Sequence, residues 1–127
     1  MAGPDPPLSS RLTTYTCGVR HQRHDKIGLE VSRRIAAELP AHPEWIGIAR
    51  GNLTRWKERN KSAPRLVRGY DEWLAILERP IGEVCSVLTA ETDEGQRLRQ
   101  NSPFVGVLTR EELSAIEAAV RDDQRAA

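Results

Sequence analysis

Apolar residues recur along this chain every three or four positions, and no stretch alternates with a period of two, so the pattern predicts helices and no strands. Ile27, Val31, Ile35 and Leu39 step by four and predict a first helix from Asp25 to Leu39. Asp25 is suited to cap it, since a short side-chain oxygen can accept from a free N–H of the first turn, and Pro40 stops it. Pro43 can open a second helix, where its missing N–H is not needed. The core stripe of that helix is Ile46, Ala49, Leu53 and Trp56, and the helix fades at Asn60. Lys61 to Gly69 reads as a connection containing Pro64. A third helix is expected from Tyr70 to Arg79 around Trp73, Leu74 and Leu77; Pro80 ends it and opens a fourth carrying Ile81, Val84, Val87 and Leu88. Thr89 to Thr92 closes the fourth, and Asp93 to Gln100 predicts a short fifth helix with Leu98 as its main apolar contact. After a break at Ser102-Pro103, Thr109 and Glu112 have the spacing of a capping box, each satisfying one orphan backbone donor, and Leu113, Ile116 and Val120 face inward along a last helix.

This is the pattern of an all-α, single-domain bundle of five or six helices over 24–122, with a frayed end at 123–127. The 127 residues suffice for one modest core, and three of the six aromatics are Trp, so Trp45, Trp56 and Trp73 are expected to anchor it. Residues 1–23 are rich in Pro, Gly, Ser and Thr and carry no apolar period, which predicts a flexible leader and no signal peptide. No apolar run approaches the ~20 residues that cross a bilayer. Cys17 and Cys85 give no disulfide framework, as expected in a reducing cytoplasm. Cys17, His21 and His24 have a ligand-like spacing but lack a fourth ligand, so no metal or other cofactor is predicted.

Charge changes the picture through its distribution. The net charge is only +1, yet Arg50 to Arg68 holds seven basic residues against one Glu, and Asp71 to Glu94 holds seven acidic residues against one Arg. Such opposed blocks can be two faces of one bundle, a polar binding surface or solvated helix faces. The chain has no phosphate loop, dinucleotide fingerprint, H-E-x-x-H or nucleophile elbow, and His42 sits in a turn before Pro43, so the reading is non-enzymatic. Two candidate surfaces follow. Arg97, Arg99, Gln100 and Asn101 are a dense donor set beside Phe104, the chain's one Phe, and predict contact with a protein partner. The apolar stretch Phe104, Val105, Val107 and Leu108 can plug its own core or dock on that partner. Alternatively, Arg50, Arg55, Lys57, Arg59, Lys61, Arg65 and Arg68 can bind nucleic-acid phosphates by releasing counterions. Self-association stays open, and a membrane partner is not expected.

Three segments carry a resemblance: A-R-G-N-L-T-R-W at 49–56, E-W-L-A-I-L at 72–77, and Q-R-L-R-Q-N-S-P-F-V-G-V-L at 96–108. They resemble a family of small, all-helical bacterial proteins with the patterns A-R-x-N-L-x-R-W, E-W-x-x-I-L and R-L-R-Q-S-S-P-F-x-G-V-L, over roughly residues 27 to 117. This chain departs from the last pattern at Asn101, where the family more often has Ser. Members resemble the antitoxin components of toxin–antitoxin operons. The resemblance implies no catalytic residues, and it implies a partner: a toxin encoded nearby, with regulation of the operon's DNA as a second role.

Overall fold

The computed structural model describes residues 24–126, so the leader, with Cys17 and His21, lies outside the described residues. Among the described residues there are six α-helices and no strand. Helix α1 spans residues 24–38 and runs into a short 3-10 turn, Leu39–Ala41, as Pro40 requires. Next come α2 (Trp45–Arg59), α3 (Pro64–Ile76), α4 (Ile81–Thr89), α5 (Asp93–Arg99) and α6 (Arg110–Ala126).

The expected stripes point inward. Ile35, Leu39, Ala49, Leu53, Trp73, Val84, Leu88 and Leu98 form one core with Phe104 and Leu108, and Trp73 is fully buried at its centre. Trp45 is also buried, whereas Trp56 is only half-buried and packs on Tyr70 at 5.8 Å between ring centres. Each fully buried Leu-sized side chain contributes about 1.5–3 kcal/mol, so this cluster dominates the stability of the bundle.

Helix ends differ from the sequence reading where local chemistry intervenes. The third helix begins at Pro64, which takes the first helical position, so six residues expected as connection are helical. Asp25 lies inside α1 instead of capping it, and its carboxylate accepts a hydrogen bond from Gln96. The last helix continues past Asp122 to Ala126. The capping box closes as expected: Thr109 Oγ1 accepts from the Glu112 N–H at 3.0 Å, and the Glu112 carboxylate accepts from the Thr109 N–H at 2.8 Å.

Two long-range features fix where α5 and α6 sit. Gly95 lets α5 press against the preceding loop, because a Cβ there would stand 2.3 Å from the Ala90 carbonyl oxygen. Helices α1 and α6 lie antiparallel, tied by Arg34–Glu112 (2.8 Å) at one end and Lys26–Asp123 (3.6 Å) at the other.

Candidate functional site

The three motif segments meet in space. Trp73 Nε1 donates to the Leu98 carbonyl at 2.9 Å, which joins the second segment to the third. Arg97 reaches both carboxylate oxygens of Glu72, at 3.1 and 2.8 Å, and also holds Glu94 one turn back on its own helix. Gly69 completes that edge: a Cβ on it would sit 3.5 Å from Asn101 Nδ2. From the first segment, Asn52 is buried and its Nδ2 donates to two carbonyls of the turn after α5, Pro103 at 2.8 Å and Val105 at 3.0 Å. Asn52 Oδ1 in turn accepts from Arg55.

These bonds divide the expected partner set by function. Phe104 is buried, edge-on to Trp73 at 6.3 Å, so it plugs its own core. Arg99 is half-buried, and its Nη1 donates to the Ala90 carbonyl at 2.5 Å, satisfying an orphan group beyond the end of α4. The hydrogen bonds that Arg97 donates to Glu94 and then Glu72 raise its pKa above the ordinary value, and the contact with Glu94 lowers that of Glu94. Gln100 and Asn101 are exposed beside them.

The two alternatives for the 104–108 run divide within it: Phe104 plugs the core, whereas Val105 is 62% exposed, because Asn52 pins the backbone on either side of Phe104 and Gly106 follows at φ +92°. With Pro103 and Phe104 turned inward, the side chain between them and that left-handed Gly is forced out.

The basic segment is dispersed over the α2–α3 hairpin. On α2, Ile48, Asn52, Arg55 and Arg59 fall on one line by their spacing of four, three and four. The pinned turn crosses the middle of that line, so Ile48 (43% exposed) and Arg55 emerge on either side of it. On α3, Arg65 precedes Gly69, the neighbour of Asn101, by one turn. Lys57 instead pairs with Asp71 at 2.7 Å and Lys61 with Glu58 at 3.0 Å. Lys57–Asp71 is the one ion pair linking the basic and acidic blocks among the described residues. Arg33 takes Glu91 at 2.7 Å, so the acidic block is neutralised from α1 and α5 as well. Among the described residues, no ion pair forms at Arg50, Arg55, Arg59, Arg65 or Arg68.

The arrangement is therefore a rigid turn carrying an exposed Val105, with Ile48, Arg55, Gln100 and Asn101 around it and unpaired arginines beyond. Sequence reasoning missed Asn52 and Ile48 as parts of this surface, and left Val105 open between core plug and docking residue. The signal for Asn52 was its place beside the core stripe, next to Leu53, where an amide must find buried partners. No group of three or more His, Cys, Asp or Glu side chains that could hold a metal ion occurs among the described residues. No described helix is long and apolar enough to cross a membrane. No family model, curated protein or solved structure matches the chain, so its function has to be read from its own residues.

Proposed function

We propose that the chain is a non-enzymatic protein-binding module of the antitoxin type, which captures a partner toxin on the face formed by α2, α3 and the 101–106 turn. The observation that carries this reading is Val105: a large apolar side chain held at 62% exposure on a turn pinned by buried hydrogen bonds, beside arginines that form no ion pair. Arginine is enriched at protein interfaces, and a side chain held in place before docking loses little conformational freedom on binding. The antitoxin class itself rests on the three-segment resemblance. Co-expression of the tagged chain with the products of its neighbouring genes tests it. A stoichiometric partner that arrests growth when expressed alone, and that is released by Val105→Asp in a chain that still folds, is the expected result. Retention of the same partner by folded Val105→Asp would remove this face from the proposal.

A second reading has its own observation: Arg50, Arg59, Arg65 and Arg68 are exposed and unpaired among the described residues, as phosphate contacts require. A DNA-binding regulator built on them would lose affinity steeply with salt through counterion release. Weak DNA retention that is insensitive to salt would dismiss it.

A further inference from the structure

A cleft of about 240 Å³, lined in part by Val105 itself, opens between α1, residues 102–108 and the start of α6. Its walls are mainly apolar, with Val31, Ile35, Phe104 and Leu113 beside the polar Ser32 and Ser102. Arg99 and Gly28 also line an adjoining cavity of about 200 Å³ with Asp25, Gln96 and Gln100. Together these dimensions suit a small ligand with one polar end, because binding clefts of this kind combine an apolar lining with a few placed polar groups.

Two features of the cleft are unexplained by folding. Arg99 uses Nη1 on the Ala90 and Leu88 carbonyls, while its Nε and Nη2 make no hydrogen bond or ion pair among the described residues. Partial burial pulls its pKa below the ordinary arginine value, while the nearby Asp25 and Glu91 carboxylates favour its charged form. A half-buried guanidinium with an unused edge is matched by a carboxylate, whose two oxygens fit that fork. Gly28 is the second feature. It lies inside α1, half-buried, where glycine costs about 1 kcal/mol relative to Ala, yet a Cβ there would meet nothing within 4 Å. Gly47 and Gly82 are equally unobstructed but sit exposed in the first turns of their helices. Gly28 does not serve packing, and its missing side chain leaves the junction of the two cavities open.

We infer that this cleft binds a small amphipathic carboxylate, its acyl chain against Val31, Ile35, Phe104 and Leu113 and its carboxylate on the free edge of Arg99. The site shares Val105 with the proposed partner face, but its test needs no partner. Octanoate and its neutral counterpart octanamide, titrated into the isotope-labelled full chain and followed by amide NMR, test it. Octanoate should shift the Gly28 and Gly106 signals saturably and bind about tenfold more tightly than octanamide, the difference expected for a charge-assisted forked contact. Gly28→Leu, whose Cβ meets open space and whose fold is checked by circular dichroism, should lose binding. Arg99→Gln should erase the preference for octanoate over octanamide, with folding checked by circular dichroism. Absence of shifts, equal affinity for the amide, undiminished octanoate binding by folded Gly28→Leu, or a retained preference in folded Arg99→Gln would overturn the inference.

Discussion

Asn52→Ala is the substitution that most directly probes how the candidate surface is built. The amide donates to Pro103 O at 2.8 Å and Val105 O at 3.0 Å and accepts from Arg55, all from a buried position. Removing it strands the carbonyl of Pro103, a fully buried residue, and an orphaned buried acceptor costs about 1–3 kcal/mol. Val105 is exposed enough for its carbonyl to be rehydrated, so losing that bond costs only its net value of about 0.5–1.5 kcal/mol. The expected total is about 1.5–4.5 kcal/mol, or a fall in Tm of about 6–18 °C for a domain of this size. Urea unfolding followed by far-UV circular dichroism should show a lower midpoint with an unchanged slope, because the exposed area is the same. Asn52→Asp sharpens the test. It keeps the shape and the Arg55 contact, but it aims a carboxylate oxygen at two carbonyl oxygens, so it should destabilise at least as much as Ala at neutral pH. If Asn52→Ala lies within about 0.5 kcal/mol of the parent, or Asn52→Asp matches it, the turn is held by something other than this amide.

Three further outcomes follow from local geometry. Gly95→Ala should destabilise by about 1–3 kcal/mol despite the better helix propensity of Ala, because the new Cβ would lie 2.3 Å from a backbone oxygen that cannot yield; an unchanged or raised Tm would contradict this packing. Burial raises the Cys85 thiol pKa, and its Sγ donates to the Ala36 carbonyl at 3.3 Å, so with Cys17 replaced by Ser it should react with a disulfide reagent far more slowly than free cysteine; equal rates would refute the burial. The Thr109 backbone N–H holds the Glu112 carboxyl below its ordinary 4.5, so the unfolded chain takes up that proton more readily than the folded one. Its contribution to stability is present above about pH 4.5 and lost as pH falls through the lower folded value, and Glu112→Gln should flatten part of that decline in a Tm–pH series.

The helices were legible in the sequence because each advertises itself locally, through stripes such as Ile27-Val31-Ile35 and punctuation such as Pro40, Pro80 and Thr109. Errors fell where one residue has two local readings. Pro64 breaks a helix or begins one, and only the pairing of the following turn with α2, as in Lys57–Asp71, decides for the second. The surface was harder to see because its residues are 50 positions apart and meet only through a buried amide. Nothing around Val105 marks it as exposed: Val107 and Leu108, with which it shares an apolar run, do pack on the core. What turns it outward is Asn52, which lies in another motif altogether.

That division bears on what the resemblance can mean. In the most specific segment, Leu98 and Phe104 fill the core, Arg97 clamps α5 to α3, Arg99 satisfies the carbonyls after α4, and Pro103 offers its carbonyl to Asn52. Those contacts serve folding, the open edge of the Arg99 guanidinium excepted, so a shared pattern there points to a shared architecture before it points to a shared partner. Partner choice has to be written in side chains the fold leaves unused: Gln100, Asn101, Val105, Ile48 and the unpaired arginines of the α2–α3 hairpin. The departure at Asn101 falls in that second group, on the exposed shoulder of the turn beside Gly69. Asn101→Ser should therefore leave stability within about 0.5 kcal/mol of the parent, as surface substitutions do, while altering affinity for the captured partner. A Tm that drops with no change in capture would place Asn101 among the residues of the fold and remove it from the interface.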